Sequence, residues 1–266
     1  MEETLSFKSS VINFYEEKLE KSKSFIPLCY HPGGVETTFE LVKEAGIGQD
    51  SDVLDVASGP GDTAIQLAAN LGSNVVGVDL SRKMISYANT LVKGVELDHK
   101  VKFVITDAEK LPFKDNVFDA AISECSLCLI PNMLKTLSEM TRVVKPNAKV
   151  AVSDIVLMET LPSHLNNFLA YANCIAGAKT LTQYIDDFEK AGLTGIKTLD
   201  LSPCVTKQIT QFLNGQKTDL EEVINIGETL FSKPMEHINI ESFQTLSFYL
   251  WLVGKIGYYM ISGVKP

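Results

Sequence analysis

From Asp52 onward, short apolar and β-branched runs alternate with segments whose apolar residues recur at helical spacing. The runs Val53 to Val56, Asn74 to Val78, Val101 to Ile105, Phe118 to Ser123 and Lys149 to Ile155 predict strands. Asp62 to Leu71, Ser81 to Lys93, Leu134 to Val143 and Leu181 to Ala191 predict the helices between and after them. This alternation implies an α/β fold, a parallel sheet with helices on both faces. Right-handed crossovers bring the carboxyl ends of the strands to one edge, where ligands bind. Ahead of this pattern, Val11, Phe14, Tyr15 and Leu19 fall on one helical face. His31-Pro32-Gly33-Gly34 punctuates the chain, and a second helix runs from Thr37 to Ala45. Residues 1–48 are therefore expected to form a helical cap and residues 49–266 the main domain. Thr198 to Cys204 and Ser247 to Val253 read as two last strands, separated by an insertion at about residues 205–243 with a helix at Asp219 to Leu230. The most apolar stretch, Leu246 to Ile261, is broken by Gly254, Lys255 and Gly257. It falls short of the ~20 apolar residues of a membrane span and reads as buried strand.

Composition narrows the partners. The 266 residues are 45% hydrophobic and 21% charged, as in an ordinary folded protein, and 33 acids outweigh 24 Lys plus Arg for a net charge of −9. Such a surface does not attract nucleic acid or anionic lipid. The start, Met1-Glu2-Glu3-Thr4, lacks the basic and apolar segments of a secretory signal, so a cytoplasmic location is expected. Five cysteines, Cys29, Cys125, Cys128, Cys174 and Cys204, are odd in number and widely spread, which does not describe a disulfide framework.

The sharpest local signal is Asp55-Val56-Ala57-Ser58-Gly59-Pro60-Gly61-Asp62-Thr63-Ala64, between a strand and a helix. Small residues let backbone approach a ligand, and the first amides of the following helix remain free to bind it. Gly59-x-Gly61-x-x-Ala64 alone also fits a dinucleotide site, so a nicotinamide-dependent oxidoreductase remains an alternative. Asp79, 24 residues after Asp55, ends the second strand where a carboxylate accepts both ribose hydroxyls. Asp55 beside the loop repels a pyrophosphate and attracts an ammonium group. Pro60 removes an amide that a phosphate would use. Asp107 follows the third strand, placed to accept from an adenine amino group while the Ala108 amide donates. An amine, a ribose and an adenine together suit these three acids.

Here the sequence resembles the class I S-adenosylmethionine-dependent methyltransferases over about Asp52 to Leu193 plus the final strand. The resemblance includes Leu111-Pro112-Phe113-Lys114-Asp115-Asn116-Val117-Phe118-Asp119 before the fourth strand and Arg142-Val143-Val144-Lys145-Pro146 before the fifth. It implies a Rossmann-like sheet of order 3-2-1-4-5-7-6 with the last strand antiparallel. It also implies S-adenosylmethionine as methyl donor, S-adenosylhomocysteine as product and a small-molecule acceptor as partner. By the match Asp55, Ala57, Gly59 and Gly61 lie at the methionine end, Asp79 and Leu80 at the ribose, and Asp107 with Ala108 at the adenine, whose apolar neighbour is Met84. Tyr30 and Glu124 complete the expected donor contacts. Ala57 stands where the family usually has glycine, and its methyl is expected to need a negative φ.

A second resemblance bears on the acceptor. Ile122-Ser123-Glu124-Cys125 and Cys174-Ile175-Ala176-Gly177-Ala178, followed by a helix ending at Ala191-Gly192-Leu193, look like the cysteine-bearing segments of arsenite methyltransferases. That resemblance implies trivalent arsenic held by Cys125 and Cys174, with Cys29 as a third thiolate; soft sulfur suits such a thiophilic centre. Glu124 stands where that family tends to have asparagine. Glu124 and His31 are thus alternative bases or orienting groups for a small organic nitrogen, oxygen, carbon or thiol acceptor. A cofactor-binding scaffold without catalysis is a further alternative. Cys125-x-x-Cys128 has no second pair to complete a zinc site and no thioredoxin-like context.

Overall fold

The structure is a computed structural model that describes residues 2–21, 31–215, 219–232 and 240–266. Seven strands, β1 (Asp52–Val56), β2 (Asn74–Asp79), β3 (Val101–Ile105), β4 (Phe118–Glu124), β5 (Val144–Leu157), β6 (Thr194–Asp200) and β7 (Ile256–Val264), form one sheet. Its order is β3-β2-β1-β4-β5-β7-β6, with β7 antiparallel to both its neighbours, as the class I resemblance implies. The expected five-strand alternation is present in full. Central strands are apolar on both faces because helices cover both: Val53, Leu54 and Val56 of β1 and Ala120, Ala121 and Ile122 of β4 are almost wholly buried.

One face packs beneath α2 (Gly34–Ala45), α3 (Asp62–Leu71) and α4 (Arg82–Gly94), where Leu41, Val42, Leu67 and Val92 join Val53, Val75 and Ala120. The other lies under α5 (Met133–Val143) and α7 (Leu181–Lys190), where Leu137, Met140, Tyr184 and Phe188 meet Leu54, Ala121 and Val152. The parallel register sets Asp55 beside Gly77 of β2 and Ile122 of β4, so the carboxyl ends of the central strands open at one edge. A long amino-terminal helix, α1 (Glu2–Lys21), crosses that edge, and the short α6 (Phe168–Ala172) follows β5.

Two expectations fail near the end of the chain. Ser247 to Val253 is not a strand but largely belongs to α10 (Ile240–Leu252). Buried Leu246, Tyr249 and Leu250 recur at helical spacing there. Gly254, at φ 68°, ends the helix with its amide bonded to the Trp251 carbonyl, and β7 begins only after it. Likewise Thr198 to Cys204 does not continue as strand. Asp200 accepts from the Ser202 amide at 2.8 Å and starts α8 (Ser202–Gly215), which takes in Cys204. The expected insertion therefore opens with α8, and α9 (Leu220–Ser232) matches the helix expected at Asp219 to Leu230. Among the described residues no helix is long and apolar enough to cross a membrane.

Arg142, at the end of α5, ties the segment before β4 in place. It donates to the carbonyls of Leu111 and Phe113 and to the carboxylates of Glu139 and Asp115. Replacing it with alanine leaves these acceptors unmet, and we expect Arg142→Ala to cost about 2 kcal/mol. Urea unfolding should show a lowered midpoint at unchanged slope.

Candidate active site

The carboxyl ends of β1, β2 and β4 and the overlying α1 enclose a cavity lined by Asp55, Asp79, Asp107, Glu124 and Cys125, among others. The turn after β1 shapes its floor. Ser58 donates its amide to the Val78 carbonyl, Gly61 donates to the Ser58 carbonyl, both at 2.9 Å, and Gly59 donates to Asp79 Oδ2 at 3.0 Å. Gly61 caps α3 at φ 85°, and a Cβ there would stand 2.4 Å from the Phe103 ring, so glycine is required. The expectation for Ala57 is overturned. Its φ is +58°, a left-handed conformation that an L side chain pays roughly 1–2 kcal/mol to hold. The surrounding hydrogen bonds impose the turn despite the methyl group.

The acids occupy the places expected of them, with partners that sequence reasoning did not foresee. Asp55 is buried, and neither its Oδ2 nor the neighbouring Ser58 Oγ has a hydrogen-bond partner among the described residues. Burial, reinforced by Glu124, Asp62 and Asp79, pushes the Asp55 carboxyl well above the usual range. Asp79 Oδ1 accepts from the Ser81 amide at 2.8 Å. Burial still raises its carboxyl, opposed by the Ser81, Gly59 and Leu80 amides. Asp107 Oδ2 takes Lys8 of α1 at 2.7 Å, and the same ammonium lies 2.9 Å from Glu109. Leu80, Met84 and Ala108 line the same cavity.

Glu124, at the end of β4, sits inside a polar network. Thr63 Oγ1 donates to its Oε2 at 2.7 Å, Thr38 Oγ1 to its Oε1 at 3.1 Å, and His31 Nε2 stands 3.5 Å from Oε2. Burial raises its carboxyl against the pull of His31, Thr63 and Thr38. The sequence offers His31 and Glu124 as alternative groups; the structure sets them side by side, with two threonines of which the sequence gives no sign.

Behind Glu124 the cysteines converge. Cys125, Cys128 and Cys174 are buried free thiols. Cys174 Sγ donates to the Cys125 carbonyl at 3.3 Å, and Tyr15 of α1 lies 3.9 Å from Cys174 Sγ while donating to the Ala172 carbonyl at 3.0 Å. Hydrogen bonds from Cys125 and Cys128 hold the Cys174 thiol well below the usual range against its burial, whereas burial pushes Cys128 well up. Cys125 and Cys174 both have positive φ, 49° and 62°. Cys29 and Tyr30 lie outside the described residues. Lys8 went unnoticed in the sequence, although it continues the pocket-facing stripe of Val11, Ile12 and Tyr15.

A family described as a methyltransferase domain matches residues 47–225, more than half of the chain. The chain belongs to this family. The sheet order makes it a class I methyltransferase domain. The domain is 32% identical over 170 residues to an uncharacterized protein of Haemophilus influenzae, covering 63% of this chain and 68% of that one. It is 29% identical over 197 residues to an arsenite methyltransferase of Halobacterium salinarum, covering 72% of this chain and 47% of that protein. Among solved structures, it matches phosphoethanolamine N-methyltransferase 2 of Haemonchus contortus, bound to phosphomonomethylethanolamine and S-adenosylhomocysteine. That match has a TM-score of 0.70 at 23% identity, covering 89% of this chain and 54% of that one. The chain thus spans about half the length of these last two relatives.

Asp55 supplies a pH test. Because folding raises its affinity for a proton, the native state loses stability as pH rises from the ordinary carboxylate range through the raised value. We expect Asp55→Asn to remove that loss, so that urea unfolding shows a variant more stable than the parent at neutral pH and no longer so under acid.

Proposed function

We propose that the domain transfers a methyl group from S-adenosylmethionine to trivalent arsenic held by Cys125 and Cys174. The residues present fit the donor. Asp55, whose Oδ2 has no partner among the described residues, lines a cavity where an ammonium group would relieve its burial, and Gly59, where a Cβ would meet nothing within 4 Å, leaves backbone open to close approach. On this reading Asp79 takes the ribose, Asp107 with Ala108 the adenine, and Met84 and Leu80 the apolar contact. When bound, S-adenosylmethionine supplies an electrophilic methyl group on a sulfonium.

The contact between Cys174 and Cys125, with Cys125 lining the cavity, is the observation that carries the acceptor reading. Charge supports it further. The described lining contains Asp55, Asp62, Asp79, Asp107 and Glu124 against the single ammonium of Lys8, a field that repels phosphorylated acceptors and admits neutral arsenous acid. Buried thiols exclude water from the reacting centre, and α1 closes the cavity above it, so alignment contributes most of the acceleration.

A small organic amine is the second reading, favoured by the Glu124–His31 pair, which offers an orienting group and a proton acceptor. Arsenite titrated into the reduced protein should consume thiols and, with the methyl donor, yield methylated arsenic. The double variant Cys125→Ser, Cys174→Ser should lose at least about 100-fold in that product while calorimetry still shows donor binding. Full turnover of the double variant on an amine, with no arsenical product from the parent, would establish the second reading instead.

A further inference from the structure

The described lining of the donor cavity holds one ammonium group, that of Lys8, and the donor contacts assigned above leave it without a task. It comes from α1, outside the strand ends that supply the acids. Lys8 Nζ lies 2.7 Å from Asp107 Oδ2 and 2.9 Å from Glu109 Oε1, and only 11% of its side chain is exposed. Two carboxylates that follow β3 thus close on one cation, 99 residues from Asp107 in sequence.

α1 holds that cation in place from both sides. Phe7, next to it, packs edge-on against Tyr171 with ring centroids 4.5 Å apart. About two turns further along the helix, Glu16 accepts from Ser81 Oγ at 2.6 Å, and Lys83 of α4 pairs with both Glu16 and Glu20. Burial disfavours the charged form of Lys8, but the hydrogen bonds to Asp107 and Glu109 outweigh it and hold the ammonium above its ordinary pKa.

The pairing fixes the direction of Asp107. A carboxylate has about four lone-pair sites. Here Oδ2 receives the ammonium and Oδ1 the Glu109 amide at 3.0 Å, so both oxygens are oriented and each keeps a free lone pair. The Asp107 side chain is 37% exposed, and Asp55, Asp62, Asp79 and Glu124 line the same cavity. Without the cation, repulsion from these like charges favours turning the carboxylate out to water.

We propose that Lys8 is a positioning residue for the methyl donor, aiming the Asp107 carboxylate at the exocyclic amino group of adenine so that α1 takes part in selecting the base. The proposal rests on the donor reading, in which Asp107 takes the adenine. A carboxylate held in one direction rewards an N–H donor and penalises its absence, whereas one free to turn toward water discriminates less. Loss of Lys8 therefore weakens recognition of the amino group in particular.

The test is calorimetry with S-adenosylhomocysteine, which needs no acceptor, and with its deamino analogue, in which hydrogen replaces the adenine amino group. The parent should bind the first about 10-fold to 100-fold more tightly, the range of one charge-assisted hydrogen bond, and Asp107→Ala should abolish that preference. Lys8→Met, which keeps the apolar stem, should cut the preference at least about 3-fold, and Lys8→Arg should restore part of it. Lys8→Gln serves if Lys8→Met does not fold. Lost packing alone would weaken both ligands equally and leave their ratio unchanged. A parental ratio in a folded Lys8→Met or Lys8→Gln variant would overturn the proposal and leave the donor reading standing. A parent without the preference, or a preference untouched by Asp107→Ala, would overturn the adenine assignment of Asp107 and the proposal with it. A parent that binds neither ligand would overturn the donor reading itself.

Discussion

The site depends on confining like charges in a space that excludes water. β1, β4 and β5 are neighbours, and each brings a buried acid to the same edge: Asp55, Glu124 and Asp154. Parallel strands leave no choice in this, because their carboxyl ends all point one way. Burial disfavours all three anions, and the protein answers each differently. Glu124 receives two threonine hydroxyls and a histidine, Asp154 receives two backbone amides, and Asp55 has one oxygen without a partner among the described residues. The unmet oxygen marks where a cationic ligand gains most. The two hydrophobic layers on either face of the sheet supply the stability that this edge gives up.

α1 joins the two halves of the edge. Its Lys8 pairs with Asp107 and Glu109 on one side, its Glu16 accepts from Ser81 at the start of α4, and its Tyr15 reaches the Cys174 segment on the other. A single helix thus touches the groups that the proposed function assigns to adenine, to the donor's ribose turn and to the acceptor. Its contacts at the adenine end are ionic and those at the acceptor end are largely phenolic and aromatic, including the edge-on packing of Phe7 on Tyr171.

The alternation from Asp52 to Ala191 was legible because strands buried on both faces and amphipathic helices have different periods. The glycine turn and the acids at strand ends were legible because the chemistry of each is local. The end of the chain was not. An apolar run around Leu246 to Val253 satisfies a buried strand and a buried helix equally, and Gly254 resolves the ambiguity only through its conformation. The site's missed groups, Lys8, Thr38, Thr63 and Asp154, come from elements far apart in sequence, and nothing local distinguishes a network threonine from an ordinary one. Asp154 left a trace as an acid within an apolar strand, as did Lys8 within the pocket-facing stripe of α1. The backbone at Ala57 left its trace only in the glycine usual at that place in the family, since its sign of φ is set by neighbours rather than by its own side chain.

The left-handed backbone at Cys125 and Cys174 has a consequence for how this edge can change. At both positions the main chain would be more comfortable with no side chain, so geometry gives the fold no motive for sulfur there. Exchanging either cysteine for glycine would relax the local torsion. On the proposed function, a lineage freed from a need for sulfur drifts along that route, keeping the proposed donor half and opening a larger acceptor chamber. The sulfur pair is thus a detachable module set into a scaffold that can outlast it.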